Sequence, residues 1–237
     1  MSIAENIAHI RAQIQQAAIA AGRDPAEITL CAATKMNDSD RVKEAIAAGI
    51  TVCGENRVQE LTRKLAQHAY DGAAIDFIGH LQTNKVKAVV GKVRLIQSVD
   101  SLRLLEAIQN EAQKQGIRQD ILLEINIGQE ASKSGFAAAD ILPLLEKIGE
   151  FPNIFVRGLM AIPPVCESEG DNDKFFQEIY NLSVDIRQKK YDNVRMEILS
   201  MGMSGDFAAA IAHGSTMIRI GTAIFGQRNY GTPHPVG

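Results

Sequence analysis

The chain has 237 residues, of which 46% are apolar, 22% charged and 5% aromatic, the profile of an ordinary soluble globular protein with enough length to bury a substantial core. Its net charge is −3, with acidic and basic residues mixed along the chain; without a basic stripe to neutralise a phosphate backbone, no nucleic-acid partner is expected. No apolar run approaches the roughly 20 residues that a membrane helix needs, so no membrane partner is expected either.

The N-terminus, Met1-Ser2-Ile3-Ala4-Glu5-Asn6, lacks the basic region and apolar block of a secretion signal. Ile3, Ile7, Ile10 and Ile14 then recur at helical spacing, Ala17 and Ala18 extend the stripe, and Gly22 is a natural stop. Strand-like apolar runs follow at residues 28–34, 51–54, 75–79, 94–98, 120–127, 154–161, 195–201 and 217–221. Segments with amphipathic spacing separate them, at 41–48, 57–68, 102–115, 138–148 and 173–189, with shorter ones at 83–90 and 206–213. The alternation predicts eight strands, each but the last followed by a helix, and hence a parallel sheet covered by helices. Eight units without a Pro/Gly/Ser-rich linker predict one closed (β/α)8 barrel of TIM type over residues 1–237, preceded by an extra helix. An open doubly wound sheet is the alternative. The tail after Phe225, with Pro233 and Pro235, reads as irregular.

The cysteines are Cys31, Cys53 and Cys166, an odd number with no Cys-x-x-Cys or His-rich cluster. Neither a disulfide framework nor a zinc site is expected. Cys31 and Cys53 lie inside apolar runs and read as reduced core residues. A cytoplasmic location is expected.

In β/α barrels the active site stands at the C-terminal ends of the strands, and phosphate often binds at the loops after strands 7 and 8. Lys35 closes the first run here, Gly54-Glu55-Asn56-Arg57 the second, and Gly79-His80-Leu81-Gln82 the third. Ser98 and Asp100 end the fourth, and Glu124 and Asn126 lie near the end of the fifth. Ser200-Met201-Gly202-Met203-Ser204-Gly205 ends the seventh and Arg219-Ile220-Gly221-Thr222 the eighth. Glycines admit close approach of backbone N–H groups to an anion, hydroxyls add donors, and a helix start favours negative charge. Ser204-Gly205 and Gly221-Thr222 therefore make a candidate phosphate cradle, although each by itself reads equally well as a turn.

Closure of strand 8 on strand 1 would put Lys35 beside that cradle. A partly desolvated amine there has a lowered pKa and is a nucleophile toward an aldehyde. Taken alone, Lys35 reads as a lysine reaching out of the barrel end; the pairing with a phosphate site favours a phosphorylated aldehyde cofactor. His80 reads as a hydrogen-bonded strand-end residue ahead of a general base. Arg219 is either a structural ion-pair partner or a group facing a pyridine nitrogen, where it would disfavour ring protonation. Met201 and Met203 read as packing around a flat ring or the barrel rim.

These stretches resemble the small pyridoxal phosphate homeostasis proteins, whose barrel is similar to the N-terminal domain of alanine racemase. The matching segments are Gly54-Glu55-Asn56-Arg57-Val58-Gln59-Glu60, Phe77-Ile78-Gly79-His80-Leu81-Gln82-Thr83-Asn84-Lys85, Ser132-Lys133-Ser134-Gly135-Phe136, Gly158-Leu159-Met160, Ser200-Met201-Gly202-Met203-Ser204-Gly205-Asp206 and Arg219-Ile220-Gly221-Thr222-Ala223-Ile224-Phe225-Gly226. The resemblance implies that Lys35 carries pyridoxal 5′-phosphate as a Schiff base and that Asn56 lies close to the ring. It further implies that Ser204, Gly221 and Thr222 contact the phosphate, and that Arg219 or Ser200 approaches the pyridine nitrogen. One departure stands out. The family usually continues its lysine motif with a threonine, a basic or polar residue and a proline, whereas Lys35 is followed here by Met36-Asn37-Asp38.

The implied function is a carrier that keeps the cofactor covalently yet reversibly and releases it by transimination, with apoenzymes dependent on pyridoxal phosphate as partners. With no long exposed apolar stripe, a monomer is expected. The alternative is an amino-acid racemase with Lys35 as one base. It would need a second acid/base, which in the full-length racemases is a tyrosine supplied by an additional domain; of Tyr70, Tyr180, Tyr191 and Tyr230, only Tyr230 suggests itself. A Schiff-base aldolase for a sugar phosphate is a third reading.

Overall fold

In the computed structural model, which describes residues 1–128, 134–164 and 172–226, eight parallel strands close into a barrel in chain order. They are β1 (Thr29–Ala33), β2 (Val52–Glu55), β3 (Ala74–Phe77), β4 (Leu95–Val99), β5 (Gln119–Ile125), β6 (Ile154–Ala161), β7 (Val194–Ser200) and β8 (Met217–Ile220). The helices are α1 (Ile3–Ala20), α2 (Ser39–Ala47), α3 (Val58–Ala66), α4 (Leu102–Gln115), α5 (Ala138–Glu146), α6 (Asp173–Lys189), α7 (Phe207–Ala212) and α8 (Thr222–Phe225). The closing pair sets Thr29, Leu30, Cys31 and Ala32 of β1 against Met217, Ile218, Arg219 and Ile220 of β8, which excludes the open sheet.

The strands are short and apolar because both of their faces are covered; every residue of β2, β4 and β8 is buried. Alternation sends Cys31, Ala33, Val52, Ile78 and Met217 into one small cluster and Leu95, Leu122 and Met160 into another, and these are the apolar part of the barrel interior. The intervening side chains join the helices in the large outer core. Cys31 and Cys53 are reduced and buried; desolvation pushes the Cys53 thiol up to about 12, so both behave as small apolar residues.

α1 begins at a reciprocal cap in which Ser2 Oγ accepts from Glu5 N–H and Glu5 accepts from Ser2 N–H. Its buried stripe is Ile3, Ile7, Ile10, Ile14 and Ala18. Each isoleucine so covered contributes about 1.5–3 kcal/mol before conformational entropy is charged against it. The eighth strand, expected to end the pattern, is followed by the one-turn helix α8, whose Ile224 and Phe225 are buried. A helix of that length cannot screen the β8–β1 seam. α1 packs against α7, α8 and α2 instead, tied by Asn6 Nδ2 donating to Ile224 O at 2.9 Å, and so occupies the outer position of a full eighth helix.

Two further differences from expectation concern short segments. The helix expected over residues 83–90 is a 3-10 helix, Thr83–Ala88. Pro25–Glu27 is a 3-10 turn capped by Asp24, whose Asp-Pro start is a recognisable helix-opening pattern. Among the described residues no helix is long and apolar enough to cross a membrane.

Candidate functional site

Thr34 follows β1, fully buried, with its N–H bonded to Gly54 O at 2.9 Å, so the strand direction is held up to Lys35. The chain then turns tightly. Asn37 N–H donates to Thr34 O at 3.2 Å, and Met36 takes φ = 60°, a left-handed conformation that non-glycine residues seldom adopt. Asp38 accepts from Arg41 N–H at 2.9 Å and caps α2. The Met36-Asn37-Asp38 departure thus forms a turn and a helix cap in sequence, without a proline.

On the other side of the seam, Arg219 of β8 stands opposite Cys31, and Gly221-Thr222 leave the strand beside Ala33 and Lys35. A cavity of about 550 Å³ opens here, lined among others by Lys35, Asn56, Ser204, Arg219, Gly221 and Thr222. Six of the eight expected cofactor contacts therefore share one wall-to-wall space. The other two do not line it. Ser200 is fully buried beneath Arg219, and Met201 is fully buried in the outer core, because consecutive residues at the end of β7 face opposite sides of the sheet. Met203, two residues on, reaches the cavity in place of Met201. Asp38, Arg41 and Phe225 also line it; Asp38 and Phe225 fall in quoted stretches without a site role, and Arg41 falls in none. Arg41 donates to Phe225 O and stacks over the Phe225 ring at 5.9 Å, closing the rim.

Arg219 is held from below. Its Nη1 donates to Ser200 Oγ at 2.6 Å and its Nη2 to Ala161 O at 3.0 Å. Ser200 Oγ donates in turn to Gln97 Oε1 at 2.6 Å, and Gln97 Nε2 to Asp76 Oδ2 at 2.7 Å. Arg94 closes the line with a bidentate grip on Asp76 at 2.9 and 2.7 Å. A directed chain of hydrogen bonds thus runs from one end of the barrel to the cavity floor. Burial pushes the Arg219 guanidinium down, opposed by Cys31, Glu124 and Asp206; it remains a cation at neutral pH. Burial pushes Asp76 up, against the pull of Arg94 and Gln97.

Asn56 is set by close backbone packing. A Cβ on Gly79 would fall 2.2 Å from Asn56 O, so only glycine admits this approach. Among the described residues, the buried Asn56 Oδ1 has no hydrogen-bond partner. Farther round the mouth, His80 Nδ1 lies 2.9 Å from Asp100 Oδ2, the strand-end role expected for it. Glu124 stands near them with its carboxyl pushed up to about 7 by desolvation and by Asp100. Among the described residues no group of His, Cys, Asp and Glu is placed to hold a metal. Cys166, Lys133 and Tyr230 lie outside the described residues.

The family model described as alanine racemase, N-terminal domain, matches residues 3–229. A pyridoxal phosphate homeostasis protein of Aquifex aeolicus is 41% identical over 97% of this chain and 100% of its own length. A protein of the same name from Pseudomonas aeruginosa is 40% identical over 98% of both chains. The structure of PipY from Synechococcus elongatus with PLP bound superposes with a TM-score of 0.83 at 31% identity, covering 95% of this chain and all of that one.

Proposed function

The chain belongs to the family of pyridoxal phosphate homeostasis proteins built on the alanine racemase N-terminal domain, and from that membership we propose that it binds pyridoxal 5′-phosphate, holds it as a Schiff base on Lys35 and releases it by transimination. The observation that carries the reading is the sharing of one cavity by an amine, a phosphate cradle and a buried cation: Lys35, Ser204 with Gly221-Thr222, and Arg219. Pyridoxal phosphate has three matching handles, an aldehyde, a phosphate and a pyridine nitrogen. The partnerless Asn56 Oδ1 fits the same ligand, since a buried polar atom at a cavity wall is costly without a partner.

Each residue then has a task. The Lys35 amine forms a C–N bond to the aldehyde carbon, and the carbonyl oxygen leaves as water. Gly221, Thr222 and Ser204 offer donors to the phosphate. Arg219, fixed by Ser200 and Ala161, meets the ring nitrogen as a donor, so Ser200 acts through Arg219. A guanidinium at that point keeps the ring nitrogen unprotonated and the cofactor a poor electron sink. Release needs only a second primary amine to displace Lys35, with no oxidant or reductant. Apoenzymes dependent on pyridoxal phosphate are the acceptors this chemistry suits.

A racemase would need a base facing Lys35 across the ring. Among the described lining residues Asp38 is the other candidate base, and its side chain is engaged as the cap of α2. The carrier reading is tested by loading the protein with pyridoxal phosphate and adding L-alanine or free lysine. Transfer of cofactor to the added amine without formation of D-amino acid is expected; D-alanine formed at many turnovers per protein would make it a racemase.

A further inference from the structure

We propose that Glu60 and Lys64 of α3 are positioning residues that hold the Lys35 turn from both sides. The inference rests on the reading of Lys35 as the Schiff-base lysine and adds what keeps its amine in place.

Lys64 is fully buried. Its ammonium donates to Thr34 O at 2.7 Å, to Glu55 Oε2 at 2.7 Å and to Glu60 Oε2 at 3.2 Å, which uses all three of its protons. Glu55, also fully buried, takes further bonds on the same Oε2 from Thr34 Oγ1 at 3.2 Å and Tyr70 OH at 3.1 Å. Glu60 Oε2 then accepts the Met36 N–H at 2.7 Å. The residue before Lys35 and the residue after it are therefore bonded to one charged cluster, the first through its carbonyl and the second through its amide.

The cluster is an expensive way to fill space. A buried ion pair contributes little net stability against well-packed apolar side chains of similar volume, so packing alone does not account for a lysine at this position of α3. What the charges supply is direction. Met36 sits at φ = 60°, where a side-chain-bearing residue is disfavoured, and the Glu60 carboxylate holds its amide there. Without that acceptor the turn can relax toward ordinary backbone angles, and relaxation swings Lys35 relative to the cradle at Gly221-Thr222. Lys64 fixes Glu60 and the preceding carbonyl together, so the turn cannot shift as a unit.

The test compares wild type, Glu60→Ala, Glu60→Gln and the double variant Glu60→Ala/Met36→Gly. Glu60 is chosen because it is partly exposed at the cluster's edge, whereas removing Lys64 strands a buried Glu55. Two quantities are read: hydrogen exchange of the Met36 amide in protein free of cofactor, and the rate at which added pyridoxal phosphate becomes borohydride-trapped on Lys35. Glu60→Ala should speed the exchange and slow loading by roughly ten- to a hundred-fold, since a misplacement of about 1 Å can cost about a hundred-fold. Glu60→Gln keeps an acceptor for the amide and should recover most of the rate. Glycine adopts the left-handed turn without a clamp, so Met36→Gly should restore loading in the alanine background, which a general loss of stability would not allow. Loading of Glu60→Ala at the wild-type rate, or no rescue by glycine, overturns the positioning role alone. Wild type that never labels at Lys35 overturns the proposed function, and this inference with it.

Discussion

Glu124 ionises against two costs, loss of water at the end of β5 and the nearby Asp100 carboxylate, and its carboxyl is pushed up to about 7. A folded value above the unfolded one means that ionisation costs folding stability: the penalty is absent below about pH 4.5 and complete above about pH 7. Glu124→Gln should therefore leave stability at pH 4 unchanged and raise it at pH 8 by about 1–3 kcal/mol, read by urea denaturation at the two values; equal effects at both would remove the titration as the cause. At Lys35 the expected result is chemical. Lys35→Ala should keep the fold and its unfolding midpoint but lose borohydride-trapped pyridoxal phosphate, and label appearing on another lysine would relocate the Schiff base. Lys35, Asn56 and Arg219 were legible in the sequence because each closes a strand, and strand ends are where this architecture gathers its chemistry. Ser200 and Met201 close a strand as well, yet neither lines the cavity. A motif names a strand end without saying which face each residue takes or how deep the rim lies, so Met203 was placed at the rim only as one of two choices.

Among the elements, those with long periodic patterns were readable to their ends: α4, α6 and β6 occupy the spans that their apolar spacing predicts. The short ones were not. Between β3 and β4 the chain forms a 3-10 helix, Thr83–Ala88, and spacing over so few residues does not separate 3.0 from 3.6 residues per turn. α8 escaped for a related reason, since four residues carry no period at all. The β2–β3 junction offers a direct test of how elements set the site. Gly79→Ala would drive a Cβ to 2.2 Å from Asn56 O, and backbone cannot yield as a flexible side chain does. The variant should lose about 1–3 kcal/mol in thermal or chemical unfolding and retain cofactor more weakly than wild type, because Asn56 moves with its backbone. Unchanged retention in a destabilised Gly79→Ala protein would remove Asn56 from the ligand's contacts.

Across the whole molecule, barrel closure is what turns scattered strand ends into a site: β1 and β8 lie almost 190 residues apart in sequence and meet in register. The chain order of strands, the alternation with helices and the absence of a linker made that closure readable in advance. The polar line inside the barrel was not, because Asp76, Gln97 and Ser200 belong to three strands and share no local pattern. This line joins β3, β4, β7 and β8 and ends on Arg219. Gln97→Leu would leave the Ser200 hydroxyl without an acceptor and Asp76 Oδ2 with Arg94 alone, at about 1–3 kcal/mol for an unsatisfied buried group. It should lower the denaturation midpoint and loosen Arg219 without emptying the cavity of its other contacts; a Gln97→Leu protein as stable as wild type would show that the line carries no weight.

Covalent binding of pyridoxal phosphate by Lys35 is tested by a visible absorption spectrum of the purified protein followed by borohydride reduction and peptide mass mapping. The protein should be yellow, bleached on reduction, with one pyridoxyl adduct on the peptide containing Lys35. A colourless protein that gains no Schiff-base band with added pyridoxal phosphate, and no adduct on Lys35, would contradict it.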